Sequence, residues 1–211
     1  FFTYSRVMMW AAFDRAARAA RAGGMEGPVE LWEALRDGLR TEIMDRGFDA
    51  GRNAFVQSYG SSEADASLLQ LTHVGFLDYD DPRMLGTVAF LEHELLNGEG
   101  LLLRYRAGAG VDGLEPGENP FLACSFWLVE QYAHTGRLPE AIRLMDQLVG
   151  YANEVGLLSE EYDTVNGRMA GNYPQAFSHL ALVRAADAIH AAEAEQPLRS
   201  TQPAEPMESS P

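Results

Sequence analysis

The chain reads as an all-α protein, a helical toroid or solenoid of about seven helices in alternating inner and outer layers. Three observations predict this. Apolar residues recur at helical spacing in seven stretches of the 211-residue sequence. Helix pairs repeat about every 55 residues, a period too long for the common short helical solenoids. Connections alternate between short (23–28, 76–81, 136–138) and long (48–62, 97–119, 157–173). The long ones all precede odd-numbered helices, so they are expected to gather on one face, at those helices' N-termini.

The elements follow in order. A first helix runs from about Tyr4 to Ala22 and breaks at Gly23-Gly24. Pro28 stands where a first helical residue belongs, and Leu31, Trp32, Leu35, Leu39 and Ile43 continue a second helix to Gly47. A third starts near Glu63, carries Ala66, Leu69, Leu71 and Val74, and stops at Gly75. Asp81-Pro82 is a cap-plus-proline start for a fourth, with Met84, Leu85, Val88, Leu91 and Leu95 on one face. The fifth covers Pro120 to Thr135 and is closed by Gly136. Pro139 opens the sixth, which is expected to end near Gly156. The seventh begins at about Pro174 and fades near Ala192. Residues 1–192 therefore form the folded domain. Residues 193–211 lack apolar periodicity and are expected to be a disordered tail.

The two helix sets differ in character. Phe121 to Val129 and much of Ala176 to Ala192 are apolar nearly all round, so both are expected to be covered on every side. The second, fourth and sixth carry charged stripes (Glu30, Glu33, Arg36, Asp37, Arg40; Glu140, Arg143, Asp146), which suit an outer layer.

Composition narrows the function. Thirty-one acidic residues face sixteen basic ones, every basic residue is Arg, and the net charge is −15. Such a surface repels phosphate backbones and anionic lipid, which argues against nucleic-acid and membrane partners. It is compatible with a neutral substrate such as a sugar. The single Cys124 excludes an internal disulfide, no zinc-type spacing is present, and no cofactor motif occurs. No apolar run reaches membrane-spanning length and no basic-then-apolar leader opens the chain, so a cytoplasmic protein is expected.

The richest segment is the last long connection. Ser159-Glu160-Glu161-Tyr162-Asp163 is followed by Gly171-Asn172-Tyr173-Pro174-Gln175-Ala176-Phe177-Ser178-His179. A helix N-terminus favours a nearby carboxylate in its ionised form, as a general base requires. From spacing alone, solvated loop acids are the simpler reading of the three carboxylates. Glu92-His93-Glu94 lacks the second His of a metalloprotease helix and reads as an exposed face. Asp78, Asp80 and Asp81 lack EF-hand spacing. Trp10, Trp127 and Cys124 read as core, and His179 as a hydrogen-bonded structural residue.

This segment closely resembles the C-terminal catalytic segment of family 15 glycoside hydrolases, the glucoamylase and bacterial trehalase group. The likeness extends upstream: Phe121 to Val129 with Gly136-Arg137 and Glu140-Ala141, Gln57-Ser58-Tyr59-Gly60 with Asp65 to Leu69, and Phe2-Thr3-Tyr4-Ser5 with Trp10 and Asp14-Arg15. It covers roughly residues 1 to 190. The resemblance implies part of an (α/α)6 barrel and hydrolysis with inversion by two carboxyl groups, about 6.5–9.5 Å apart to admit a water. It places the general base on Glu160 and puts Glu161 where some relatives carry Gln. Arg104-Tyr105 resembles the family's arginine at the non-reducing sugar, and Phe121 falls near an aromatic position of its sugar pocket. The family's general acid would precede Phe1, in an N-terminal half of the domain outside this chain, and the chain alone is expected to be inactive. The first expectation is glucoamylase-like hydrolysis of α-glucans or malto-oligosaccharides. An α,α-trehalase of the same family is the alternative, and a non-catalytic helical module binding sugar or protein is a third reading.

Overall fold

The computed structural model describes residues 1–106 and 119–199. Its seven α-helices are α1 (Thr3–Arg21), α2 (Val29–Arg46), α3 (Gln70–His73), α4 (Pro82–Leu95), α5 (Leu122–His134), α6 (Leu138–Val149) and α7 (Ala176–Arg199). Two short antiparallel hairpins interrupt them: β1 (Phe48–Asp49) with β2 (Ala54–Phe55), and β3 (Glu161–Asp163) with β4 (Arg168–Ala170). Helices pair in sequence order, α1 on α2 and α5 on α6, with α5 also packed along α7. The architecture is the all-α one that the periodicity predicts.

Local chemistry explains where the elements begin. Asp81 Oδ1 accepts from the Arg83 N–H at 2.9 Å, and Pro82 occupies the first turn of α4, where no intrahelical donor is needed. The third helix is shorter than its apolar pattern suggests. Asp65 is extended, and its carboxylate accepts from the Ser67 N–H at 2.8 Å, so that a 3₁₀ turn over Ala66–Leu69 leads into α3. Helix α6 ends at Val149 rather than near Gly156. Asn153 Oδ1 takes the N–H groups of Val155 and Leu157 at 3.1 and 2.8 Å, a local turn that competes with further helix. Helix α7 runs past Ala192 to Arg199, so the first residues of the expected tail are helical. Ala191, Ala192, Glu193, Ala194 and Glu195 are strong helix formers, and propensity carries the helix without an apolar stripe. Residues 200–211 lie outside the described part.

The layering follows from burial. Every residue of α5 except Trp127 and His134 is buried. Helix α6 buries one stripe, Leu138, Ala141, Leu144 and Leu148, and α2 buries only Leu39 and Ile43. The first hairpin leans on α4, where the Phe55 N–H donates to Thr87 Oγ1 at 2.9 Å. A Cβ at Gly86 would stand 1.9 Å from the Asn53 carbonyl oxygen, so only glycine lets the hairpin approach this closely.

Buried and half-buried polar groups bolt the helices together. Glu130 of α5 accepts from Arg184 of α7 at 2.5 Å and from the Tyr79 hydroxyl. Burial, then this carboxylate, push the Tyr79 hydroxyl above its ordinary pKa. Glu92 of α4 accepts from Arg137 at 2.9 Å and from Tyr132 Oη at 2.5 Å, and the Arg137 guanidinium lies 3.9 Å over the Tyr132 ring. Of the Glu92-His93-Glu94 trio, then, only His93 is an exposed surface side chain. The expectation that α7 is covered on every side fails. Phe177, Leu180 and Val183 are 45%, 64% and 53% exposed, so one apolar face of this helix is open.

Candidate active site

Among the described residues, backbone hydrogen bonds join the ends of the long connections to one another and to the segment before α1. Phe2 bridges Ser58, and the Thr3 N–H donates to the Gln57 carbonyl at 2.8 Å. Asp65 bridges Tyr105, and the Ala66 N–H donates to the Arg104 carbonyl at 2.8 Å. Phe121 bridges Glu161, and the Tyr162 N–H donates to the Pro120 carbonyl at 3.1 Å. Segments distant in sequence are thus laid side by side, as expected from their positions before the odd-numbered helices.

Glu160 sits between two helix starts. Its carbonyl accepts the Leu122 N–H, the first of α5, at 3.0 Å, and its own N–H donates to the Asn172 carbonyl at 2.9 Å. Just before it, the buried Leu158 N–H donates to His179 Nε2 at 3.1 Å, and Ser178 Oγ donates to the Ser159 carbonyl at 2.8 Å. Ser159 Oγ donates to the Glu161 carbonyl at 2.6 Å. The first turn of α7 therefore holds the segment that carries Glu160, and His179 has the structural part expected of it.

The Glu160 carboxylate is half-buried, and its Oε2 accepts from both the Asn172 N–H (3.0 Å) and Asn172 Nδ2 (2.8 Å). Gly171 has φ +71°, and a Cβ there would lie 2.9 Å from Glu160 Oε2 and 3.0 Å from its Cβ. Glycine is needed for both the turn and the close approach. Glu161 has other surroundings. Its backbone lies in the ladder of β3, opposite Ala170, and its Oε2 accepts from Asn119 Nδ2 at 3.4 Å. Asp163 shapes the hairpin: the side chain and N–H of Asn166, then Arg168, hold its carboxyl below the usual carboxylate range.

Phe121 is brought directly to this segment. Its ring lies 5.8 Å from that of Phe177, which in turn is 5.6 Å from the half-buried Trp127 ring, so Trp127 borders the aromatic group rather than the core alone. Arg104 and Tyr105 join the same surface through Asp65 and Ala66. Arg104 donates to the Tyr105 hydroxyl at 2.6 Å, with its guanidinium 4.6 Å over that ring. Sequence reasoning assigned no part to Asn172 or Gly171, although both stand in the Gly-Asn-Tyr-Pro run. The signal was a glycine beside an amide, and only folding shows which carboxylate they meet. Among the described residues, no group of three or more His, Cys, Asp or Glu side chains is placed to hold a metal ion, and no helix is long and apolar enough to cross a membrane.

Known proteins place this surface in context. The chain is 40% identical over 191 residues to a trehalase of Thermoplasma volcanium, and 41% identical over 195 residues to a trehalase of Mycobacterium tuberculosis. These matches cover 90% and 92% of this chain but only 30% and 28% of the relatives, so the chain spans less than a third of their length. Among solved structures, a wild-type glycosidase superposes with a TM-score of 0.74 at 19% identity, over 90% of this chain and 52% of that one. A family 105 glycoside hydrolase of C. acetobutylicum gives a TM-score of 0.52 at 15% identity, over 82% of this chain and 55% of that one. These two likenesses concern the fold. The model of the glycosyl hydrolases family 15 matches residues 1–187, nearly the whole described chain, and the chain belongs to that family.

Proposed function

We propose that this chain supplies the general-base half of an inverting glycosidase acting on α,α-trehalose, with Glu160 as the base. The relatives carry the choice of substrate: those sharing about two-fifths of its residues over nine-tenths of the chain are named trehalase. This reverses the order of the two expectations from sequence, in which α-glucans came first. The geometry supports the part given to Glu160. Its carboxylate stands at the end where the long connections meet, between the starts of α5 and α7, and its Oε1 accepts no hydrogen bond among the described residues. The ionised carboxylate is the form that can take a proton from water.

In this reading a water oxygen bonds to the anomeric carbon of one glucose as its proton passes to Glu160, and the bond from that carbon to the bridging oxygen breaks. The departing glucose takes a proton from a second carboxylic acid. Phe121 and Phe177 offer flat apolar surfaces to the C–H face of the sugar, and the Arg104 guanidinium offers a fork of donors to hydroxyl groups.

The test uses a full-length form comparable in extent to the relatives. Trehalose and maltotriose are assayed side by side, and the anomers are followed by NMR at early times. Trehalose is expected to be the better substrate. Inversion at one ring, with the other released unchanged, yields β- and α-glucose in equal amounts. Preference for maltotriose restores the glucan reading. Two α-glucose molecules per turnover overturn inversion.

A further inference from the structure

We infer that Asn172 is a positioning residue for Glu160, dividing the labour between the two carboxylate oxygens; this rests on the reading of Glu160 as the base. Oε2 receives two donors from one residue, the Asn172 N–H at 3.0 Å and Nδ2 at 2.8 Å. A third bond in the same strip, Glu160 N–H to the Asn172 carbonyl at 2.9 Å, locks the two backbones together. With Oε2 saturated, Oε1 is the oxygen left to hold the water and take its proton. Two donors on Oε2 also fix the plane of the carboxylate, so the side chain does not have to be ordered during the reaction.

Gly171 makes this possible. Any Cβ there would fall 2.9 Å from Oε2, displacing the carboxylate from its clamp. The Gly171-Asn172 pair thus acts as a bracket, one residue clearing the space and the next filling it with donors. Glu161, one position on, meets a different residue: its Oε2 accepts from Asn119 Nδ2.

The experiment compares Asn172→Ala, Asn172→Asp and Glu160→Gln in the full-length form, measuring kcat, KM and Tm on trehalose. Asn172→Ala removes the side-chain donor and keeps the backbone one. It is expected to lower kcat by about 10- to 100-fold while KM stays within about threefold, since a misplaced reacting group costs rate more than binding. Asn172→Asp keeps the size and shape of the side chain but sets an acceptor of like charge against Oε2. It is expected to lose at least as much kcat as the alanine variant while keeping the wild-type Tm. A merely structural asparagine would give the opposite order, with the aspartate near wild type and the alanine low in both Tm and activity. That order, or wild-type kcat in both Asn172 variants beside an inactive Glu160→Gln, overturns this inference alone. Full activity in Glu160→Gln overturns the base reading and takes this inference with it.

Discussion

Glu160 and Glu161 are chemically identical neighbours with different surroundings. The first has both donors of Asn172 on its Oε2 and, among the described residues, none on Oε1, while the second lies in a β-ladder with Asn119 on its carboxylate. Gln keeps the size of Glu but cannot accept a proton from water. Glu160→Gln is therefore expected to lower kcat by about 10²–10⁴-fold with little change in KM. Glu161→Gln is expected to retain most activity. Steady-state kinetics of the two variants, with circular dichroism to verify folding, checks this pair. Exchanged phenotypes would move the base by one position, and two active variants would remove the connection from the catalytic site.

At the scale of elements, the segment carrying Glu160 depends on the first turn of α7. The Leu158 N–H is buried and has His179 Nε2 as its acceptor. Since an N–H donates to it, that ring nitrogen carries no proton. His179→Ala leaves a buried donor without a partner, which costs about 1–3 kcal/mol. His179→Gln brings a carbonyl within reach and is expected to recover part of the loss. Denaturant unfolding of both variants measures the difference, and equal stability would show that the bond contributes nothing. Elements also show where sequence patterns mislead. Asp81-Pro82 announces α4 correctly because cap and proline act within one turn. The third helix is shorter than its apolar pattern because Asp65 draws the chain into a 3₁₀ turn, a choice hidden in an otherwise helical apolar pattern.

For the whole molecule, the consequential feature is its open apolar surface. Phe177, Leu180 and Val183 of α7 and Met8 and Met9 of α1 are all exposed. Contiguous apolar surface favours association. The 211-residue chain by itself is expected to self-associate in sedimentation velocity, and replacing Leu180 and Val183 by Arg is expected to reduce that association. A sharp monomeric boundary for the unaltered chain, with cooperative thermal unfolding, would count against it. A net charge of −15 opposes association in general, so weakening as salt is lowered is also expected.

Much of this architecture is a local property and was legible in the sequence. Helical periodicity, the Pro and Gly that punctuate it, and the alternation of connection lengths fix the class, the layers and the end at which the long connections meet. Each depends on residues within a few positions of one another. The Ser-Glu-Glu-Tyr-Asp and Gly-Asn-Tyr-Pro runs likewise marked the segment on which Glu160 stands. Tertiary structure decided the rest. Periodicity says that a face is apolar but not what covers it, so α7 could be read as apolar all round without showing its open side. Hydrogen bonds between residues far apart leave no mark on spacing. The bond from Asn172 to Glu160 Oε2, the bolt from Arg184 to Glu130 and the seat of Phe121 beside Phe177 exist only once separate segments are packed together. A side chain's chemistry is written in the sequence, but its partner is chosen by packing.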